Sequence, residues 1–84
     1  MPSLSELPDN INRTKFLLAL VSLGFEIRRK GGKGSHIKAI WSKTGKFIIV
    51  QNDFRRDVLY HCIKDIERIS SVTWEDLKRE LHIN

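Results

Sequence analysis

A run of nine residues from Arg28 to His36 limits how this chain can fold. It reads RRKGGKGSH and holds four cations, three glycines, one serine and one histidine. Glycine is unfavourable inside helices and strands because it loses the most conformational freedom on folding. The run therefore predicts a loop between two elements. Its cations attract phosphate, its glycines let the backbone approach a ligand, and its histidine can exchange a proton near neutral pH.

Before this loop the pattern predicts a helix and then a short strand. Apolar residues recur at helical spacing over about 12–23, with Asn10 or Asn12 as the N-cap. Gly24 is well placed to end the helix, because glycine adopts the left-handed conformation found there. Apolar and polar residues then alternate over 25–28, which predicts the first strand.

After the loop, two more strands are expected, joined by a turn at 43–46. In the second strand, at 36–42, the alternation places Ile37, Ala39 and Trp41 on one face and His36, Lys38 and Ile40 on the other. Gly45 can supply a positive φ in the turn. The third strand, at 47–50, is apolar on both faces, so we expect it to be central or well covered.

The last third of the chain predicts two helices. Asn52 or Asp53 is a candidate N-cap for the first of them, which carries one broad apolar stripe made of Val58, Leu59, Cys62, Ile63 and Ile66. We therefore expect Cys62 to fill the core. The sequence 73–76 resembles a capping box and opens a short terminal helix. The fold class predicted is α+β, with a three-stranded antiparallel sheet covered on one face by the two main helices.

Length and composition predict one small intracellular domain. We expect residues 1–11 to be a loose leader and 12–84 to be a single domain. The one cysteine excludes an internal disulfide framework and suits a reducing compartment, so we expect a cytoplasmic protein. No apolar run approaches the ~20 residues that span a bilayer, and the polar start is not a signal peptide.

The positive charge is concentrated in the middle of the chain. The segment 28–56 has nine cations against a single anion, Asp53, and a net charge of +8, whereas the rest of the chain carries −3. Such a concentration predicts a basic face that binds a polyanion. The alternative is a solvated, lysine-rich hairpin without a ligand.

These features together resemble the HicA family of toxin ribonucleases. The resemblance is carried by Leu23-Gly24-Phe25 at the end of the first helix, by the basic residues that follow, and by Lys33-Gly34-Ser35-His36 at the entry to a strand, and it extends over 13–69. It implies a double-stranded-RNA-binding-like fold (α-β-β-β-α), cleavage of mRNA, neutralisation by a HicB-like antitoxin, and His36 as the catalytic histidine. After the third strand, at 50–53, this chain reads VQND, whereas many family members have a Pro-x-His step at this point.

The chemistry of the residues agrees with RNA cleavage. A histidine can act as general acid or base when the 2′-hydroxyl of RNA attacks the adjacent phosphorus, leaving a 2′,3′-cyclic phosphate. No cofactor or metal is called for, because there is no carboxylate cluster and the three histidines lack ligand spacing. The residues expected to bind the RNA backbone are Arg28, Arg29, Lys30, Lys33, Gly34, Ser35, Lys38, Arg55 and Arg56.

Other interpretations remain open at this point. The same fold could be a non-catalytic RNA-binding module that recognises A-form RNA by shape. A protein-interaction domain with an acidic partner would explain the charge but not the glycine loop. Ser35 is better explained as a turn hydroxyl than as a nucleophile, Trp41 as a core or edge aromatic than as a base-stacking platform, and His61 and His82 as surface residues. The expected partners are mRNA and an antitoxin, with no membrane and no metal.

Overall fold

The computed structural model describes residues 2–9, 11–29, 36–51 and 53–83, without the side chain of His36. Residues 30–35, Asn10 and Asn52, which include part of the predicted loop and two candidate caps, lie outside this set. The chain folds as a 3₁₀ turn, a helix, three strands and two helices: Leu4–Glu6, α1 (Arg13–Ser22), β1 (Phe25–Arg29), β2 (His36–Trp41), β3 (Phe47–Gln51), α2 (Arg56–Ile69) and α3 (Trp74–Leu81). The predicted α+β class and its helix–three-strand–helix order are confirmed.

The three strands form one antiparallel sheet in the order β1-β2-β3. The predicted alternation in β2 is confirmed, because Ile37, Ala39 and Trp41 are all buried. They join a core that is completed by the helices, including Phe16, Leu20, Leu59, Ile63, Ile66 and Leu77. The helices therefore cover one face of the sheet, and we call the other face the open face.

The prediction that the third strand is central or well covered is wrong. β3 is an edge strand, since it stands last in the order β1-β2-β3 of the sheet that the described residues form. Ile48 and Val50 enter the core, whereas Phe47 and Ile49 remain 50% and 44% exposed on the open face. An unbroken apolar run suits a strand that is buried on both faces, but here the helices cover only one of them.

Local signals set both ends of α1 as the sequence predicted. The side chain of Asn12 accepts a hydrogen bond from the Lys15 amide at 3.1 Å, as an N-cap does. Gly24 follows the helix with φ +112°, a conformation that side chains rarely adopt. Its position is also tight, because an added Cβ would lie 3.0 Å from Cζ3 of Trp41. The lack of a side chain at Gly24 therefore allows the helix to end and leaves room for the indole of Trp41.

α2 begins later than the sequence indicated. Its N-cap is Arg55, which makes no side-chain capping bond, so Asp53 is not the cap. Phe54, which precedes the helix, packs against Phe16, with ring centroids 4.9 Å apart. Phe54 therefore makes a core contact from the segment before the helix.

The buried faces of α2 and α3 match their predicted patterns. Cys62 is buried, and removal from water raises the pKa of its thiol to about 12, which makes it a core residue. At the start of α3 the Thr73 hydroxyl accepts from the Asp76 amide, and the Asp76 carboxylate accepts from the Thr73 amide. This is the predicted capping box. None of the helices in the described part of the chain is long and apolar enough to cross a membrane.

Residues 2–9, expected to belong to a loose leader, contact the domain. Leu7 is only 2% exposed and belongs to the core. The carboxylate of Asp9 forms an ion pair with the guanidinium of Arg56 at the start of α2. The segment therefore adds Leu7 to the core and one ion pair to the fold, and Pro2 is buried as well.

Candidate nucleic-acid interface

The register of the strands determines which side chains share the open face. Lys38 in the middle strand pairs with Arg28 on one side and Ile49 on the other. In the next row, Ile40 pairs with Glu26 and with Phe47. Two cations, one anion and three large apolar side chains thus form adjacent rows of one surface.

The cations Arg28 and Lys38 lie side by side on this face, and each has a neighbour that attracts a positive charge. The Arg28 guanidinium donates to the Glu26 carboxylate, with Nη2–Oε1 at 3.0 Å. The Lys38 ammonium lies 4.3 Å from the centroid of the Phe47 ring, whose negative face attracts a cation. Exposed ion pairs contribute little stability. Arg28 and Lys38 can therefore exchange these neighbours for phosphate at small cost.

The predicted catalytic residue is placed by its backbone at one end of the sheet. His36 is the first residue of β2, two residues before Lys38, and it pairs with Gln51 at the end of β3. The loop residues Lys30, Lys33, Gly34 and Ser35 connect to this same end but lie outside the described residues, as does the side chain of His36.

Arg29 is separated from Arg28 by the alternation of β1. It pairs with Ile37, a core residue, and so lies on the helix side of the sheet. Near it, Arg13 at the start of α1 donates to the Val50 carbonyl at 3.3 Å. Burial lowers the pKa of Arg13, and the positive charge of Arg29 lowers it further. The end of the sheet therefore has cations on both of its sides.

Arg55 and Arg56 follow β3 at this same end, and both are engaged by carboxylates. Arg55 Nε lies 2.9 Å from Asp53 Oδ2, and both side chains are exposed. Arg56 is less exposed and is held by Asp9. Arg55 is thus accessible to a phosphate, whereas Arg56 could bind one only after Asp9 moves away.

Sequence reasoning identified the cations but missed the side chains beside them. The sequence predicts that the strand containing Phe47 is central or well covered, yet the Phe47 ring is half-exposed beneath Lys38. Alternation along the strand places Phe47 and Ile49 on the face opposite to Ile48 and Val50. All four residues are apolar, so the sequence does not indicate which of the two pairs is exposed. Two other assignments are confirmed. Trp41 is a core residue that packs on Phe25, with ring centroids 5.0 Å apart, and His61 and His82 are exposed.

Within the described ranges, no group of three or more His, Cys, Asp or Glu side chains could hold a metal ion. No family model, curated protein or solved structure matches the chain. The likeness to the HicA family accordingly rests on the residues at 13–69, above all on the Lys33–His36 step.

Proposed function

We propose that this chain is a cytoplasmic endoribonuclease of the HicA toxin type that cleaves mRNA. The register of the sheet supports the proposal best. The backbone of His36 lies two residues from Lys38, and Lys38 pairs directly with Arg28. A group that transfers protons and two cations that bind phosphate would thus share one end of a rigid sheet.

The proposed reaction needs only proton transfer and charge neutralisation. The 2′-oxygen of the RNA forms a bond to the adjacent phosphorus, and the bond from phosphorus to the 5′-oxygen breaks. His36 takes the proton from the 2′-hydroxyl or donates one to the leaving 5′-oxygen, and water performs the other of these two transfers. Proton transfer of this kind contributes about 10²- to 10⁴-fold in rate. Arg28 and Lys38 neutralise the negative charge that develops on the phosphate.

The proposed protein partner is a HicB-like antitoxin that covers the basic surface. The central segment 28–56 carries a net charge of +8. An acidic partner would be attracted to it over a distance of about one Debye length and would associate rapidly. We therefore expect the association rate to fall steeply as salt is added.

Cleavage by the wild type and by His36→Ala, in EDTA and with a mixed RNA, tests the function. We expect the substitution to slow cleavage about 10²- to 10⁴-fold and 2′-deoxy substitution of the substrate to abolish it. His82→Asn is the matched control, because His82 is exposed and has φ +59°, which asparagine tolerates. This variant should cleave like the wild type.

Three outcomes would contradict the proposal. Equal cleavage by the His36→Ala variant would exclude His36 from catalysis. Equal cleavage of a 2′-deoxy substrate would exclude attack by the 2′-hydroxyl. Salt-sensitive RNA binding without cleavage in either protein would identify the non-catalytic RNA-binding module instead.

A further inference from the structure

The open face holds an apolar patch that no element of the described chain covers. Phe47 and Ile49 are about half-exposed on the edge strand, and Ile40 pairs with Phe47 in the middle strand. The Lys38 ammonium lies over the Phe47 ring, 4.3 Å from its centroid. One aromatic ring, two aliphatic side chains and a cation are thus immediate neighbours.

The charge around this patch favours a polyanion. From Arg28 to Lys46 the chain has seven cations and no Asp or Glu. Among the paired strand residues that share the open face, Glu26 is the one acid, and Arg28 neutralises it. Beyond the strands, Asp57 and Asp65 of α2 line a pocket with Ile49 at the edge of β3. An acidic polypeptide would satisfy these cations, but it would make no particular use of an accessible aromatic ring. A nucleic acid uses both, because every base has a flat face that stacks on such a ring.

We infer that the open face binds single-stranded RNA, with one unpaired base stacked on Phe47 and the adjoining phosphates on Arg28 and Lys38. The inference rests on the proposed function and specifies the kind of RNA that the face accepts. In an A-form duplex the base faces are stacked on one another, so only an unpaired base can reach the ring. Antiparallel sheets that display aromatic side chains bind unpaired bases in this manner.

Lys38 changes its neighbour when the base arrives. Its ammonium sits on a flexible stem and contacts the Phe47 ring through a weak, exposed interaction. The base takes the place of the ammonium over the ring, and the ammonium binds a phosphate beside Arg28, its partner in the register. The Phe47 ring thus gains a stacking contact with the base, and Lys38 gains an ion pair with the phosphate.

The position of Phe47 makes it a binding residue and not a catalytic one. It lies four residues before Gln51, the residue that pairs with His36. At about 3.3 Å per residue, this separation is about 13 Å along the strand. The stacked base therefore belongs to a neighbouring nucleotide and not to the bond that is cut. Loss of the ring should raise KM and leave kcat unchanged.

The test measures binding of the full chain to 2′-O-methyl oligonucleotides, which lack the attacking hydroxyl. A single strand and a hairpin duplex of the same base composition are compared at one salt concentration. Phe47→Leu should weaken binding of the single strand about 5- to 150-fold, since stacking is worth about 1–3 kcal/mol per base. Its effect on the duplex should be small. Leu18→Ala, at an exposed apolar position on α1, should bind like the wild type.

Phe47→Trp is the second variant, and it reports stacking directly. Trp41 and Trp74 are buried, so an indole at position 47 is the one that a bound base can reach and quench. We expect this variant to keep wild-type affinity and to lose emission when the single strand binds. This readout remains valid even if Phe47→Leu reduces the stability of the fold.

The outcomes separate this inference from the function on which it rests. Equal binding of the single strand by the wild type and a folded Phe47→Leu variant overturns the inference and leaves the ribonuclease intact. So does a Phe47→Trp variant that binds without quenching, or a wild type that binds duplex as tightly as single strand. A wild type that neither binds nor cleaves RNA, and binds an acidic peptide instead, overturns the proposed function as well.

Discussion

The covered and open faces of the sheet are built from alternate residues of the same strands, yet they differ in what lies over them. On β3, Ile48 and Val50 lie under the helices, whereas Phe47 and Ile49 face outward and are about half-exposed. Both pairs are apolar and both belong to a five-residue strand. The difference in burial therefore comes from the placement of the helices and not from the residue types.

Residues on the covered face should contribute to the stability of the fold, and residues on the open face to ligand binding. Apolar side chains on the covered face have already lost their contact with water, and this loss stabilises the fold. Apolar side chains on the open face are still in contact with water, so burying them would stabilise a complex with a ligand instead of the fold. Substitutions on the two faces should consequently affect different measurements.

The largest effect on stability should come from Ile48→Ala, with Ile49→Ala as its matched control. Ile48 is buried, so we expect its truncation to reduce the free energy of unfolding by about 2–5 kcal/mol. The same change at Ile49 should reduce it by no more than about 1 kcal/mol. Urea denaturation of both variants provides the measurement. Equal losses would show that the open face is covered in solution.

The two glycines with positive φ extend the comparison to the ends of the strands. Gly24→Ala and Gly45→Ala both place a side chain at a strained φ, which costs about 1–3 kcal/mol. At Gly24 the new Cβ also meets the Trp41 ring, whereas nothing lies within 4 Å of the corresponding position at Gly45. Thermal unfolding should therefore show the larger decrease in Tm for Gly24→Ala. The reverse order would mean that the indole moves aside freely.

The smallest effects should come from the exposed capping box of α3, away from both faces. Thr73→Ala removes the hydroxyl that accepts from the Asp76 amide and should cost about 1 kcal/mol. Thr73→Ser keeps that hydroxyl and should retain most of the stability. Chemical denaturation at neutral pH distinguishes the two variants. A serine variant as unstable as the alanine variant would argue against the cap.

The capping box also predicts a small dependence on pH. Hydrogen bonds from the Thr73 amide, and to a lesser extent from its hydroxyl and from Arg79, lower the pKa of Asp76 in the folded chain. Its ionised form thus stabilises the fold above about pH 4, and this contribution is lost as the pH falls through the lower pKa of the folded state. Asp76→Asn should be less stable than wild type at pH 7 and should lose less stability between pH 4 and 2. Parallel pH profiles of the two proteins would contradict this.

Features set by neighbouring residues were predictable from the sequence. Asn12 and Gly24 mark the ends of α1, and Thr73 with Asp76 marks the start of α3, because each makes its decisive contact within a few residues. The alternation of β2 also identified Lys38 and Trp41 as residues of opposite faces. These are the signals on which sequence reasoning is strongest.

Features set by distant contacts were not predictable. The edge position of β3 depends on the order of the strands, which the apolar run 47–50 does not encode. Phe54, just before α2, packs on Phe16, a residue far from it in the sequence. The ion pair that engages Arg56 joins it to Asp9, 47 residues away. For the candidate site, the sequence identified the cations of the open face, while the partners of those cations required the fold.

Arg13 has a consequence for how the start of the first helix is held against the sheet. The backbone amide of Trp41 donates to the Lys46 carbonyl, and the alternation of an antiparallel ladder then turns the Val50 carbonyl toward β2. A carbonyl oxygen has two lone pairs and can accept a second hydrogen bond. The Arg13 guanidinium donates that second bond at 3.3 Å. The first turn of α1 and the end of β3 are thereby cross-linked through a carbonyl of the sheet.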